Sequence, residues 1–371
     1  MAALWYNATG KGVNCVDRHA DYSKRLTEWY RPVQRDLPWR RTKNPYAIWV
    51  SEIMLQQTRV ETVREYYRRF MERLPDVTAL AKAPQAEVLK LWEGLGYYSR
   101  ARNMQRAAQL IVDQYGGRFP ETAAELRKLP GIGAYTAGAV ASIAFGEASP
   151  AIDGNVKRVA ARLFGIREAI DAKASLRIVQ DQLSAILGYG DAGEINQALM
   201  ELGATVCIPR SPKCDLCPLA QNCDAFAEGD ATLLPILAPK EPPKVIPLAV
   251  CLLTHAGQVL LLRRQERLLH GLYVFWLAEG DISLPLLQSS LQEQGLHTVY
   301  QGKVGEGKHI FTHRIWQMEI HHFVLTASPA PEWLQARQAA MASADEMLSL
   351  PMPTAMRAAQ SLALTLLDAA E

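Results

Sequence analysis

The chain has 371 residues and a nearly balanced charge, because 40 Lys and Arg residues stand against 38 Asp and Glu residues. No apolar run reaches the roughly 18 residues that a membrane-spanning helix needs, so we expect a soluble, cytoplasmic protein long enough for more than one core. Residues 1–230 carry a formal charge of +4 and residues 231–371 carry −2, which permits a polyanionic partner without identifying one.

The region from Tyr22 to about Ala227 has the periodicity of α-helices. Segments such as PQAEVLKLWEGLG and SLRIVQDQLSAIL place apolar residues three and four positions apart, and Pro, Gly or Asp separates one segment from the next. Many helices with short connections predict an all-α region of packed helix pairs. The region ends in a stretch with five prolines between Pro235 and Pro247, which predicts a stiff, extended linker.

Strand-like patterns replace the helical ones after the linker. VIPLAVCLLTHAGQVLLLRR predicts two β-strands joined by a turn at 255–257, LYVFWLAEG and WQMEIHHFVLTA predict further strands, and LPLLQSSLQEQGL predicts a helix. We therefore predict a multidomain chain with an all-α region at residues 1–228, a linker at 229–246 and a small α+β domain at 247–371.

Four of the six cysteines are clustered near the end of the helical region. Cys207, Cys214, Cys217 and Cys223 are separated by six, two and five residues, so four thiolates can converge on one centre. In a protein that keeps its thiols reduced, such a cluster predicts a metal site before disulfides. A structural zinc ion and a [4Fe–4S] cluster both fit four sulfur ligands, and the spacing does not choose between them.

Two glycines and two carboxylates are further candidates for chemistry. Gly131 and Gly133, in the stretch LPGIG ahead of an apolar helix, predict a tight turn whose uncovered N–H groups bind phosphate without reading sequence. Glu52 lies on a largely apolar helix, where it is either exposed or placed in a pocket. Asp153 directly precedes a helix, where an aspartate is most often the N-cap.

These candidates occur together with further motifs, in the same order as in a known family of proteins. The motifs are LPWR, WVSEIMLQQTRVETV, LWEGLGYYSRARN, LPGIGAYTAGA, IDGNVKRV, NQALMELGA and the four-cysteine loop at 207–223. From about residue 24 to 225 the chain resembles the helix–hairpin–helix DNA glycosylases that carry an iron–sulfur loop, and most closely the MutY-type adenine DNA glycosylases. The resemblance implies a helix–hairpin–helix at about 125–140 and a [4Fe–4S] cluster as the cofactor of the cysteine loop.

The resemblance also implies roles for individual residues. Glu52 is expected to protonate adenine at N7 and Asp153 to stabilise the cationic sugar, while Tyr135 and Asn155 orient the intermediate and Asp153. We expect an apolar pocket to raise the pKa of Glu52 and helix N-terminal amides to hold down the pKa of Asp153. Tyr135 occupies the position where related strand-cleaving glycosylases carry a lysine. Because a phenol cannot form a Schiff base, we predict base removal without efficient strand cleavage.

A base inside a duplex is out of reach, so the target adenine must be flipped into a pocket. By resemblance, the residues that line this pocket are Arg35, Trp39, Arg40, Leu55, Gln57 and Gln197. Contacts to the DNA around the flipped base are implied for Gln57, Thr58, Leu95, Tyr97, Tyr98, Gly131 and Gly133.

The C-terminal domain resembles the Nudix-like domain with which this family recognises 8-oxoguanine opposite the adenine. A working Nudix hydrolase needs several carboxylates that bind Mg²⁺, and the nearest match to that motif, QSSLQEQG at 288–295, keeps only Glu293. We therefore predict binding without hydrolysis. Phe311, Thr312 and His313 resemble the family's Phe-Ser-His loop that contacts the oxidised base, with a threonine in the serine position.

The resulting hypothesis is a monofunctional DNA-repair glycosylase that acts as a monomer on double-stranded DNA and removes adenine paired with 8-oxoguanine or guanine. One alternative is an iron–sulfur pyrimidine-lesion glycosylase with lyase activity, against which Tyr135 and the added domain count. The other is a non-catalytic damage-binding protein, against which the presence of Glu52 and Asp153 counts.

Overall fold

The computed structural model describes residues 5–6, 12–13, 15–239, 241–280 and 283–368. The chain forms two compact units. The first contains the chain up to Lys82 together with Arg106–Pro239, and the second contains Ala83–Gln105 together with the chain after Pro239. Within the described residues, every helix is too short or too polar to cross a membrane.

The region predicted to be all-α consists of helices with short connections, as expected. Its helices are α1 (Cys15–Val33), α2 (Pro45–Leu55), α3 (Val60–Arg73), α4 (Val77–Lys82), α5 (Gln85–Leu91), α6 (Ser99–Tyr115), α7 (Ala123–Leu126), α8 (Ala134–Phe145), α9 (Gly154–Leu163), α10 (Lys173–Leu187), α11 (Ala192–Thr205) and α12 (Asp224–Ala227). Single 3₁₀ turns occur at Pro38–Arg40, Cys214–Leu216 and Ala220–Asn222. Two short strands, β1 (Trp5–Tyr6) and β2 (Gly12–Val13), pair antiparallel ahead of α1.

Helices α2 and α8 are buried along almost their whole length, and they carry Glu52 and Tyr135. The side chain of Asn44 caps α2 by accepting a hydrogen bond from the backbone N–H of Tyr46. Helix α8 is packed closely against the chain that precedes α9: a Cβ on Gly138 would lie 2.3 Å from the carbonyl oxygen of Pro150. Only glycine fits there, so this contact fixes the approach to Asp153.

The second unit contains the predicted α+β domain. Its strands are β3 (Lys244–His255), β4 (Gln258–Arg263), β5 (Tyr273–Val274), β6 (Trp276–Glu279), β7 (Thr298–Ile310), β8 (Arg314–Leu325) and β9 (Ala339–Ala342). Its later helices are α13 (Leu284–Glu293), α14 (Pro331–Ala336), α15 (Ala344–Ser349) and α16 (Arg357–Asp368), with a 3₁₀ turn at Thr354–Met356. The strands that the structure describes here form one mixed sheet in the order β5-β4-β3-β8-β7, with β6 also pairing to β3 and β9 to β4.

Strand β3 lies at the centre of this sheet and is buried on both faces. Leu248, Val250 and Leu252 belong to one hydrophobic cluster, while Ala249 and Cys251 belong to another. Alternate side chains of a strand point to opposite faces, so β3 supplies two cores. It runs parallel to β8 and antiparallel to β4, to which it connects through the predicted turn at 255–257.

Candidate active site

The first compact unit contains a cavity of about 730 Å³. Helix α2, the turn before α8, the start of α9 and one side of α11 supply most of its wall. The predicted residues that line it are Glu52, Asp153, Tyr135, Asn155, Arg35, Trp39, Arg40, Leu55, Gln57, Gln197, Thr58, Gly131 and Gly133. Residues far apart in sequence are thus brought to one concave surface, which is the usual form of a small-ligand site.

Glu52 lies inside this cavity and is 5% exposed. The pKa of its carboxyl group is raised to about 7, mainly by burial and to a smaller extent by the negative charge of Asp153. The hydroxyl of Tyr135 donates a short hydrogen bond to Glu52 Oε2, which lowers the pKa, as does the charge of Arg40. Burial dominates, so Glu52 can hold a proton near neutral pH, as a general acid must.

Asp153 is both an N-cap and a cavity residue. Its Oδ1 accepts a hydrogen bond of 2.7 Å from the backbone N–H of Val156, and its Oδ2 accepts one of 3.2 Å from Nδ2 of Asn155. We expected the helix amides to hold its pKa down. They do lower it, but burial outweighs them and the pKa of Asp153 is raised above its ordinary 3.8. That part of the prediction was wrong because the sequence does not give the depth of the site.

The glycine turn forms the predicted corner ahead of α8. Gly131 has a φ of 77°, in the left-handed region that glycine tolerates, and Gly133 is the N-cap of α8. A Cβ placed on Gly133 would meet no atom within 4 Å, so the backbone there borders open space. Ile132 between them is buried and anchors the turn. This arrangement is suited to binding a phosphate through backbone N–H groups.

A buried carboxylate that sequence reasoning missed organises one side of the cavity. Glu201, on α11, accepts hydrogen bonds of 2.7 and 2.9 Å from Arg35 and one of 2.6 Å from Arg40. The two guanidinium groups lower the pKa of Glu201 despite its burial. The motif NQALMELGA contained Glu201, but only the folded chain reveals that it holds two cavity arginines in place. The guanidinium of Arg40 also lies 5.6 Å from the ring centre of Tyr30.

The four clustered cysteines border a second, smaller cavity in the same unit. Arg162, Val206 and Phe226 also line it, so the thiols lie in partly apolar surroundings. Burial raises the pKa of Cys217 to about 12 and that of Cys223 to about 11, which disfavours thiolates there unless bound iron or zinc compensates their charge. Four thiols around one cavity can supply the four sulfur ligands of such a site.

A chain of hydrogen bonds connects the cysteine loop to the first cavity. Arg158 donates to the carbonyl oxygen of Cys207 at 2.9 Å and to Oδ1 of Asn155 at 2.9 Å, and Asn155 in turn donates to Asp153. Gly203 completes the arrangement, because a Cβ on it would lie 2.7 Å from Cβ of Asn155. Sequence reasoning missed both Arg158 and Gly203, since helix periodicity does not reveal which neighbour a polar side chain meets.

The other predicted contact residues belong to the second unit. The Tyr97 hydroxyl and Thr312 Oγ1 are 2.8 Å apart, and Tyr97 has a φ of 47°. Leu95 and Tyr98 are buried, so their side chains stabilise the unit and are not presented to a ligand. Phe311, Thr312 and His313 form the connection between β7 and β8. The structure therefore groups Tyr97 with this connection, a proximity that the sequence did not suggest.

Three family models match successive parts of the chain. Residues 50–184 match the HhH-GPD superfamily of base excision DNA repair proteins, residues 207–223 match the iron–sulfur binding domain of endonuclease III, and residues 249–361 match the NUDIX domain. The cysteine match decides between zinc and iron: the cofactor of the loop is a [4Fe–4S] cluster.

Similar proteins point the same way. An adenine DNA glycosylase of Homo sapiens is 36% identical, and the match covers 83% of this chain and 69% of the human protein. An adenine DNA glycosylase of Mus musculus is 44% identical, and the match covers 58% of this chain and 44% of the mouse protein. Among solved structures, a thermostable thymine-DNA glycosylase matches with a TM-score of 0.52 and 29% identity over 57% of this chain and 98% of its own. A trapped endonuclease III–DNA covalent intermediate matches with a TM-score of 0.50 and 26% identity, over 58% of this chain and 98% of its own. The chain is thus an enzyme of base excision DNA repair and belongs to the adenine DNA glycosylase family.

Proposed function

We propose that the chain flips adenine out of A·8-oxoguanine and A·G pairs in duplex DNA and hydrolyses its N-glycosidic bond without efficient strand cleavage. It acts as a monomer, with catalysis in the region 1–228 and recognition of 8-oxoguanine in the region 247–371. One observation carries the proposal: buried Glu52, with a pKa of about 7, lies in the same cavity as Asp153. The printed names of the similar proteins support adenine as the base.

Glu52 is the proposed acid. Adenine is a poor leaving group as an anion, so a proton must reach the base as the bond to C1′ breaks. A carboxyl group with a pKa of about 7 is still protonated in a large fraction of molecules at neutral pH, whereas an exposed glutamate is not. We assign the proton to N7 of adenine. Tyr135 assists this proton transfer because its hydroxyl donates a hydrogen bond to Glu52 Oε2, and the carboxyl group of Glu52 becomes negatively charged when its proton leaves.

Asp153 is the proposed stabiliser of the sugar. Breaking the N-glycosidic bond gives an oxocarbenium-like transition state, and a nearby carboxylate favours that positive charge. The hydrogen bonds from Val156 and Asn155 fix both oxygens of Asp153 and stabilise its ionised form. Both carboxyl groups line the same cavity, so they could act on one bound nucleotide.

The proposal that the enzyme is monofunctional rests on Tyr135. A lyase needs an amine that forms an imine with C1′ of the sugar, whereas Tyr135 offers a phenol that is hydrogen-bonded to Glu52. Water then completes the reaction. The trapped covalent intermediate among the similar structures is a property of endonuclease III.

The cavity wall supports base flipping. Arg35, Trp39, Arg40, Leu55 and Gln197 would surround the flipped adenine, and Gly131 and Gly133 would bind the backbone phosphates beside it. Gln57 has a φ of 58° and is exposed, so it is presented at the rim of the cavity, where it would fill the space that the base leaves. In the second unit, Thr312, held by Tyr97, would meet the 8-oxoguanine.

A single-turnover assay tests the proposal. Duplexes with one A·8-oxoguanine, A·G or C·8-oxoguanine pair are incubated with excess protein, and half of each sample is treated with alkali before electrophoresis. We expect strand breaks only after alkali and only where adenine is present. Asp153→Asn and Glu52→Gln should bind the duplex and form product at least about 10²-fold more slowly than the wild type. Strand breaks before alkali would contradict the assignment of Tyr135, and product from C·8-oxoguanine would contradict adenine as the target.

A further inference from the structure

Arg162 is one of the largest fully buried side chains in the described part of the chain. It is 2% exposed and lies on α9, at the wall of the cysteine cavity. A guanidinium group cannot lose its proton in a protein, so a full positive charge is buried here. Arginine is almost never buried to this extent unless a negative charge compensates it.

Neutral acceptors satisfy most of the N–H groups of Arg162. The carbonyl oxygens of Leu234, Ile208 and Pro209 accept hydrogen bonds of 2.9, 2.8 and 2.7 Å. Such carbonyls satisfy donors but carry no net charge, and within the described residues the side-chain hydrogen bonds of Arg162 go to backbone carbonyls and a cysteine sulfur and not to a carboxylate. The compensating charge must therefore come from another kind of group.

The cysteine loop supplies that group. One terminal nitrogen of Arg162 donates to Sγ of Cys207 at 3.3 Å. Arg162 and all four cysteines line the same cavity, so this guanidinium faces the space that the four sulfur ligands surround. A [4Fe–4S] cluster with four thiolates carries net negative charge, which matches the buried positive charge in sign and place.

We propose that Arg162 is the counter-charge of the iron–sulfur site. It favours the cluster electrostatically, keeps the ligand loop attached to Leu234, and makes the addition of an electron to the cluster easier. Adding an electron makes the site more negative, and a fixed cation beside Cys207 stabilises that state most. Loss of the charge should therefore shift the reduction potential to more negative values and speed the loss of iron. This role goes beyond the glycosylase reaction and does not depend on the identity of the mispair.

Three variants of the cluster-containing protein separate charge from shape. Arg162→Gln removes the charge and keeps an N–H donor, while Arg162→Lys keeps the charge with fewer donors. Lys213→Gln is the matched control, because Lys213 lines the same cavity but is exposed to water, which screens its charge. The readouts are the midpoint potential of the cluster, from a potentiometric titration followed by electron paramagnetic resonance, and the rate of iron release to a chelator.

We expect Arg162→Gln to disfavour one-electron reduction about tenfold, a negative shift of about 59 mV, and to release iron faster. The midpoint potential and iron-release rate of Arg162→Lys should lie closer to those of the wild type, and those of Lys213→Gln should equal them. An unchanged potential in Arg162→Gln, or equal shifts in Arg162→Gln and Lys213→Gln, would overturn the proposal. If Arg162→Gln cannot retain the cluster, Arg162→Lys decides: iron release close to the wild-type rate supports a charge effect, and failure of Arg162→Lys to retain the cluster overturns it.

Discussion

Replacement of Glu52 by glutamine separates the stability of the fold from its activity. Glutamine has nearly the same shape, and its amide oxygen can still accept the hydrogen bond from Tyr135. It cannot ionise, however. Folding raises the pKa of Glu52 from its ordinary 4.5 to about 7, so the folded protein binds this proton more tightly than the unfolded chain does. The contribution of Glu52 to stability is therefore fully present below about pH 4.5 and is lost as the pH rises through 7.

The size of the effect follows from the same pKa. A rise from 4.5 to about 7 corresponds to roughly 3 kcal/mol of unfolding free energy that the wild type loses between acid and mildly alkaline pH. Glu52→Gln avoids this loss. For a unit of this size, the variant should unfold roughly 6–12 °C higher than the wild type at about pH 8, with a much smaller difference at about pH 5. Its excision rate should fall by about 10²-fold or more.

Thermal unfolding followed by circular dichroism at the two pH values measures this effect. The matched control is Glu28→Gln on α1, because the side chain of Glu28 is 61% exposed to water, whereas that of Glu52 is buried. Glu28→Gln should match the wild type at both pH values. A gain in Glu52→Gln that is equal at both pH values, or a lower unfolding temperature at about pH 8, would show that burial does not hold a proton on Glu52.

Further predictions concern the other groups of the cavity. Asp153→Asn should keep the helix cap and duplex affinity but lower the single-turnover rate by roughly 10²–10⁴-fold; a rate within tenfold of the wild type would remove its assigned role. Borohydride should trap no protein–DNA adduct, because Tyr135 offers no amine, and a trapped adduct on gel electrophoresis would disprove hydrolysis as the route. Gly203→Ala should slow excision without reducing iron content, since the new Cβ would displace Asn155; an unchanged rate would show that Asn155 needs no such fixed position.

The sequence predicted those features that depend on local pattern. Apolar spacing predicted the helices, the prolines predicted the end of the helical region, and two apolar runs on either side of the turn at 255–257 predicted β3 and β4. Asp153 illustrates how far such patterns go. A position ahead of a helix predicts an N-cap, and Asp153 is one, but the same geometry also directs it into the cavity. Asp153 is therefore an N-cap and a cavity residue at the same time, so the structural and the functional interpretations both hold.

Features that depend on tertiary packing could not be predicted. Deciding whether Glu52 faces water or a pocket requires knowledge of the helices that pack against α2. Predicting the raised pKa of Asp153 requires knowledge of how deeply the cavity buries it. Glu201 and Arg158 looked like ordinary helix charges in the sequence. Their functions depend on partners 49 or more residues away, namely Arg35 for Glu201 and the carbonyl of Cys207 for Arg158. No local periodicity contains that information.

The most direct test of the central claim is the pH dependence of adenine excision under single-turnover conditions, with saturating protein and an A·8-oxoguanine duplex. Glu52 must be protonated and Asp153 ionised, so the rate should be bell-shaped and should fall as the pH rises through about 7. In Tyr135→Phe the alkaline limb should move to higher pH, because the hydrogen bond that lowers the pKa of Glu52 is lost. A rate that stays constant or increases between about pH 7 and pH 9 would contradict the assignment of Glu52 as the acid.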